Sequence, residues 1–144
     1  MGLHLVKLCV GVATVEELVD WIAWRRAENR RLKLPDEHKH TTRMTPKRVG
    51  ELLEGGSLYW VIKGNIQIRQ KLLAIRPFVD GEGISRCDLV LDKRAVPTEW
   101  QPRRAFQGWR YLPEQDAPCD LATRGGHIAI PAHLRLELSD LGLL

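Results

Sequence analysis

The feature that most constrains the fold is a pair of apolar segments joined by a tight turn. Residues 58–62 are aromatic and β-branched, and Gly64-Asn65 then offers the two-residue connection that is typical of a β-hairpin. Beyond the turn, apolar and polar residues alternate over residues 66–74, as they do in a strand with one buried face. Propensity alone would also allow a helix over residues 66–75. The hairpin interpretation places an antiparallel sheet at the centre of the fold.

An amphipathic segment near the start of the chain predicts one long helix. Thr14 followed by Glu17 is a capping box, in which the hydroxyl and the carboxylate satisfy backbone N–H groups at the start of a helix. Apolar residues then recur at helical spacing, so a helix is expected over residues 15–31. The preceding residues 3–10 are dense in Leu and Val and predict a central strand that is covered on both faces.

The remaining elements are predicted from turn residues and prolines. Residues 34–42 contain a proline and a polar string, which favours an exposed loop. Thr45 with Pro46 is typical of a helix start, and Gly55-Gly56 would end that short helix. Further along we expect a turn, a strand, a proline-containing edge or loop, an aromatic strand, a short strand and a last helix, over residues 80–83, 84–91, 96–104, 106–112, 128–130 and from Pro131 onward.

These elements combine into an α+β fold. Strands dominate the middle of the chain, so the expected architecture is a mostly antiparallel sheet or a small β-barrel with an N-terminal helix, a short second helix and a C-terminal helix. The chain has 144 residues and no internal repeat that we detect, which predicts one domain over residues 1–144.

Composition excludes several classes of protein. A hydrophobic share of 44% with 28% charged residues is typical of soluble globular chains and excludes collagenous, disulfide-dense and wholly disordered ones. No apolar run reaches the roughly 18 residues of a membrane helix, and the start lacks a signal-peptide pattern, so no membrane association and a cytoplasmic location are expected. Three widely separated cysteines indicate reduced thiols. Because phosphate-loop, nucleophile-elbow and paired-carboxylate motifs are not visible, we predict no cofactor or metal and favour a binding protein over an enzyme.

Four sequence blocks carry a resemblance to a known family. They are HLVKLCVGV at residues 4–12, TRMTPKR at 42–48, GGSLYWVIKG at 55–64 and FQGWRYL at 106–112. On these blocks the chain resembles a bacterial family called domain of unknown function fourteen eighty-nine, whose name implies no activity. A weaker likeness is to PUA-like and ASCH-type domains, since a short helix ending in glycine leads into a strand across residues 46–62. That likeness implies a PUA-like β-barrel that binds RNA or modified bases.

Basic and aromatic residues interleave in two parts of the chain. The net charge is +4, and cations are concentrated between residues 24 and 50. This combination is typical of proteins that bind single-stranded nucleic acid, because cations contact phosphates while flat rings stack on bases. We therefore expect non-enzymatic RNA binding. The candidate binding residues are Arg43, Lys47, Arg48, Trp60, Lys63, Arg69, Gln70, Arg103, Arg104, Gln107, Trp109 and Arg110.

Other interpretations of the same residues stay open at this point. A protein-interaction adapter would use the aromatic strand 106–112 as its anchor, and an enzyme would act on a nucleotide or a modified base. Separately, the rings of Trp60 and Trp109 could face the core in place of a nucleic-acid groove, as aromatic residues in strands commonly do. The acidic and histidine residues of segment 36–40 suggest a metal or acid–base cluster, for which a solvated loop is the competing interpretation. His4 is expected to be a hydrogen-bonded core histidine.

Overall fold

A computed structural model describes residues 2–104 and 106–121 of the chain as a mixture of strands and helices. In chain order the elements are β1 (Leu3–Leu8), α1 (Val15–Arg31), β2 (His38–Thr42), α2 (Val49–Leu52), β3 (Ser57–Ile62), β4 (Asn65–Val79), β5 (Ser85–Pro102), β6 (Trp109–Pro113) and a 3-10 turn at Glu114–Asp116. The predicted α+β class is therefore confirmed. The predicted strand 128–130 and the predicted last helix from Pro131 lie outside the described residues.

The six strands form one open, mostly antiparallel sheet in the order β2-β5-β4-β3-β1-β6. Among the strands that the structure describes, β1 and β3 are the one parallel pair, with Leu5 opposite Leu58. Strands β2 and β6 are the two edges, so the prediction of a closed, PUA-like barrel is not what the structure shows. β1 has a paired neighbour on each side, in agreement with its apolar sequence. No described helix is long and apolar enough to cross a membrane.

The β3–β4 hairpin turns one residue earlier than predicted. Lys63 and Gly64 occupy the turn with φ angles of +49° and +80°, and Asn65 already pairs with Ile62. Positive φ at both central residues is the signature of the turn that matches the twist of a hairpin. This register keeps Trp60 opposite Ile68 on the same buried face, whereas a slip by one residue would move one of them to the other face.

The segment 38–42 is a strand, and the predicted exposed loop over residues 34–42 is wrong there. β2 pairs antiparallel with β5 from His38 opposite Leu91 to Thr42 opposite Cys87. His38 and Thr42 are buried while Lys39 is exposed, which is the alternation of an edge strand that packs on one face. The polar composition of this segment suggested exposure to solvent, but a histidine can be buried as a neutral ring against aromatic side chains.

Three predicted boundaries also change. Helix α2 begins at Val49 with Arg48 as its N-cap, and not at Thr45-Pro46. The segment 96–104, predicted as an edge or loop, forms most of the second half of β5. Strand β2 pairs only with residues 87–91 of β5, so this second half has β4 as its single long partner. That arrangement is the one expected of an edge. The last aromatic strand spans Trp109–Pro113, which leaves Phe106 outside it.

The core has two layers, one on each face of the sheet. The larger layer packs α1, through Leu18 and Ile22, against Leu58 and its neighbours. The smaller layer includes Tyr59 and Leu112 on the opposite face. The predicted capping box is confirmed at the start of α1, because the Thr14 hydroxyl accepts from the backbone N–H of Glu17 at 3.1 Å.

Candidate nucleic-acid interface

The twelve predicted binding residues do not share one groove. Trp60 and Gln70 belong to the core layer beneath α1, with 3% and 0% of their surface exposed. The indole N–H of Trp60 donates to the side-chain oxygen of Gln70 at 2.9 Å, and the Gln70 amide donates to the carbonyl oxygen of Asp92 at 2.8 Å. These two side chains satisfy each other inside the protein, as buried polar groups must.

Trp109 connects edge strand β6 to the loop that follows the other edge strand, β2. Its indole N–H donates to the carbonyl oxygen of Met44 at 2.8 Å, and its ring lies edge to face with Tyr111 at a centroid distance of 4.9 Å. The Tyr111 hydroxyl accepts from the backbone N–H groups of Lys47 and Arg48 at 2.9 and 3.2 Å. Among the described residues no strand pairing joins the two edges of the sheet, so these side-chain contacts hold the loop of residues 43–48 against β6.

Acidic partners neutralise two of the predicted cations. Arg48 pairs with Glu51 at 2.6 Å. Arg69 makes a two-pronged contact with Asp120 at 2.7 and 2.6 Å and also donates to the Ser57 hydroxyl at 2.8 Å. A guanidinium held in this way is already satisfied, so these residues are poorer phosphate ligands than unpaired cations.

A polar cavity of about 580 Å³ lies beside Arg69, on the face of the sheet opposite α1. His4 lines it and is 5% exposed. Its Nδ1 accepts from the backbone N–H of Ser57 at 3.0 Å, and its Nε2 contacts the Glu114 carboxylate. The expectation of a hydrogen-bonded core histidine is confirmed, and both ring nitrogens are engaged by the protein.

Five predicted residues do come together around one exposed end of the sheet. The guanidinium groups of Arg103 and Arg110 lie over the ring of Phe106, at 5.9 and 5.5 Å from its centre. The backbone N–H of Arg103 donates to Gly64 at 2.8 Å, which sets this cluster beside the β3–β4 turn and its exposed Lys63. We call this cluster the Phe106 platform; it comprises Lys63, Arg103, Arg104, Phe106, Gln107 and Arg110.

The platform concentrates positive charge. Within residues 2–104 and 106–121, none of its four cations forms an ion pair with an acid. Arg104, Gln107 and Arg110 are exposed, and Arg103, whose guanidinium lies over Phe106, is half-buried. An electron-rich ring face supports a guanidinium without neutralising it, so the charge remains available to an anion.

Arg43 and Lys47 form a separate exposed pair on the loop of residues 43–48. β6 presents Trp109 and Tyr111 to the face that this loop contacts, while Arg110 points to the other face. The loop cations and the platform are consequently on different sides of β6. A single strand that contacts both would have to pass around the edge of the sheet.

A second feature, which we call the helix cleft, was not predicted as a cavity, although the histidines of segment 36–40 were considered as part of a metal or acid–base cluster. It is a cavity of about 470 Å³ between α1, the loop after β1 and strand β2, and its walls include Lys7, Cys9, Trp21, His38, His40 and Trp60. The signal that was available is the spacing of His38 and His40, which puts both rings on one face once the segment is a strand.

Burial controls the ionisation of the groups in the helix cleft. Loss of solvent lowers the pKa of His38 and of His40 to about 4, with positive charge on Arg25 adding to both effects. It also lowers the pKa of Lys7 and raises the pKa of the Cys9 thiol to about 11. At neutral pH the two imidazoles are neutral and Cys9 is a thiol. The described residues contain no group of three or more His, Cys, Asp or Glu side chains placed to hold a metal.

Comparison with known proteins identifies a family for this chain but no activity. A family model described as Protein of unknown function (DUF1489) matches residues 5–144. This match confirms the family resemblance carried by the four sequence blocks, whereas the likeness to PUA-like domains finds no support. No curated protein and no solved structure matches the chain.

Proposed function

The chain belongs to the family described as Protein of unknown function (DUF1489), and we propose that it binds single-stranded RNA through the Phe106 platform. The observation that carries this proposal is the placement of two guanidinium groups, those of Arg103 and Arg110, over one ring at 5.9 and 5.5 Å. Single strands combine regularly spaced phosphates with bases that are free to stack. A ring flanked by cations offers a partner to both.

The contrast with the paired arginines favours the platform over the rest of the predicted set. Arg48 and Arg69 are held by Glu51 and Asp120, and a phosphate would have to displace those carboxylates. The platform cations have no such partner among the described residues, so binding of a phosphate costs little beyond side-chain ordering. The exposed amide of Gln107 adds a group that can donate to, or accept from, the edge of a base.

Binding without chemistry is supported by the state of the reactive groups. Cys9 is buried with a pKa raised to about 11, so its thiol stays protonated near neutral pH. Both nitrogens of His4 are engaged, by Ser57 and by Glu114. Neither side chain is free to act as a nucleophile or a general base in this arrangement, and the proposal assigns them structural roles.

The adapter interpretation is less well supported. It requires exposed aromatic anchors on residues 106–112. Trp109 is 9% exposed, and the hydroxyl of Tyr111 accepts two backbone N–H groups of the same chain. Phe106 is the one ring of this segment that borders unpaired cations within the described residues, and that environment suits an anionic partner better than an apolar one.

The proposal is tested by fluorescence anisotropy with a labelled, mixed-sequence single-stranded RNA at low and moderate salt. Affinity should fall steeply with salt because phosphate contacts release counterions. The double variant F106L/R110A should bind roughly tenfold or more weakly, since it removes one stacking ring and one cation. K93A/R94A is the matched control: it removes two exposed cations from β5, away from the platform, and should bind nearly as well as the parent. Absence of binding at low salt would overturn the proposal.

A further inference from the structure

Two buried ring nitrogens in the helix cleft have no hydrogen-bond partner within the part of the chain that the structure describes. They are Nδ1 of His38 and Nε2 of His40. His38 is 2% exposed, so solvent at the protein surface does not satisfy it. A buried polar atom without a hydrogen-bond partner destabilises the folded protein, because it has given up its contact with water. Both side chains line the helix cleft, and a molecule in this cavity can supply the missing contacts.

Aromatic rings frame the same two histidines. The ring of Trp21 meets His38 edge to face at a centroid distance of 5.4 Å, and Trp60 meets His40 at 5.0 Å. Trp21 is 40% exposed and stands at the mouth of the cleft, whereas Trp60 is buried within it. The cavity of about 470 Å³ is within the range of small-molecule sites, which are roughly 300–1,000 Å³. Such walls favour a flat ligand with polar groups at its edge.

The charge of the cleft is positive. Lys7 lines the cavity, and Arg25, which does not line it, places its guanidinium over the ring of Trp21 at 4.9 Å from its centre. Neither cation forms an ion pair within the described residues, and no Asp or Glu lines the cavity. A neutral imidazole carries one donor and one acceptor, so the two histidines can match a ligand edge that presents both kinds of group.

From this arrangement we infer that the helix cleft binds a nucleotide monophosphate unit, with the base between Trp21 and Trp60 against His38 and His40, and the phosphate at Lys7 and Arg25. A purely apolar ligand would leave the two ring nitrogens unpaired. A divalent metal lacks a third protein ligand among the described residues. The base of a nucleotide has a flat ring with both donors and acceptors at its edge. The phosphate of the nucleotide matches the two cations. The site is separate from the Phe106 platform and does not depend on the function proposed for it.

The test is an NMR titration of the full chain with AMP, GMP, CMP and UMP, read on the indole N–H signals. Signals of Trp21 and Trp60 should shift with at least one nucleotide, while the signal of Trp109, which donates to Met44, should not. The corresponding nucleosides and inorganic phosphate are titrated in parallel. The nucleotide should bind more tightly than its nucleoside, because the nucleoside lacks the phosphate for Lys7 and Arg25.

Two variants test the two halves of the site. His38→Phe keeps a flat ring beside Trp21 but removes both nitrogens, and it should weaken nucleotide binding roughly tenfold. It should remain folded because a phenyl ring keeps the edge-to-face contact with Trp21, and the buried Nδ1 that is lost has no partner in the described chain. Lys7→Met should erase the preference for nucleotide over nucleoside. Its control is Lys39→Met, which lies between the two histidines on the exposed side of β2.

Free nucleotide and RNA are distinguished with the platform variant F106L/R110A. If short RNA still shifts Trp21 and Trp60 in that variant, the cleft takes a nucleotide of an RNA chain. If only mononucleotides do, the ligand is the free molecule. The inference is overturned if no nucleotide shifts Trp21 or Trp60, or if His38→Phe binds as tightly as the parent. Neither result affects the anisotropy test of the platform.

Discussion

The ring of His40 meets the ring of Trp60 edge to face, with centroids 5.0 Å apart. His40 lies on edge strand β2 and Trp60 on β3, and two strands, β5 and β4, separate them in the sheet. The rings can touch only because the sheet curls around the face that carries α1. The same curl brings residues 43–48 to β6 and closes the helix cleft, so this one contact between two side chains reports how the cleft and that loop are placed.

Acidification should destabilise the fold through His38 and His40. Burial lowers both pKa values from 6.5 to about 4, so between these pH values the unfolded chain binds protons that the folded chain does not. Stability is therefore fully present above pH 6.5 and is lost as the pH falls toward 4, by roughly 3 kcal/mol for each histidine. Urea unfolding at pH 7.0, 5.5 and 4.5 measures the loss. H38F/H40F should flatten the dependence, and an unchanged slope in that variant would contradict the assignment.

Substitution of Gly56 should be strongly destabilising. A Cβ at this position would overlap the backbone carbonyl oxygens of Leu52 and Leu3, neither of which can move without disturbing α2 or β1. Gly56→Ala should lower the free energy of unfolding by roughly 3 kcal/mol. The matched control is Gly50→Ala, whose Cβ would point into open space within α2 and should be neutral or slightly stabilising. Equal melting temperatures for the two variants would show that the close approach is not real.

Removal of the two positive charges at Arg103 and Arg104 should weaken RNA binding and leave stability nearly unchanged. Arg104 is exposed, and Arg103 contacts Phe106 through its guanidinium, so R103A/R104A should change stability by about 0.5 kcal/mol or less. The slope of log affinity for RNA against log salt should fall by roughly 0.7 for each phosphate contact that is lost. A melting temperature several degrees lower with an unchanged salt slope would instead assign both arginines to packing.

Tyr111→Phe should loosen the loop of residues 43–48 without unfolding the sheet. The lost hydroxyl accepts from the backbone N–H groups of Lys47 and Arg48, which would then donate to solvent because both residues are exposed. Amide hydrogen exchange at these two residues should accelerate, and stability should fall by roughly 1 kcal/mol. The amide of Cys9, which donates to Val61 at 2.9 Å, serves as the internal control and should keep its exchange rate. Unchanged protection at Lys47 would show that the hydroxyl does not hold the loop.

Elements set by neighbouring residues could be predicted from the sequence. The helix over 15–31 begins where Thr14 and Glu17 cap it, and the turn at residues 80–83 forms because the Asp80 carboxylate accepts from the backbone N–H groups of Glu82 and Ile84. Each depends on contacts within four residues along the chain. Such contacts are encoded by residue type and spacing alone, so they can be read without knowledge of the fold.

Tertiary structure decided the elements and sites that depend on distant partners. Segment 38–42 is polar by composition, and it becomes a strand only because β5 supplies its ladder and aromatic rings cover its histidines. From the sequence, Trp60 was predicted to stack on bases. In the fold it is a core residue whose indole N–H donates to Gln70 on the other strand of the hairpin.

The sequence by itself determined the local elements, the α+β class and the concentration of cations beside aromatic residues. Which cations stay unpaired was decided by contacts such as that of Arg69 with Asp120, 51 residues apart. The convergence of Lys63 with Arg103 and Arg110 likewise needed the hairpin turn to meet the end of β5. The physical reason is that burial, ion pairing and cavity formation depend on groups far apart along the chain, and a pattern of neighbouring residues does not specify which of them meet.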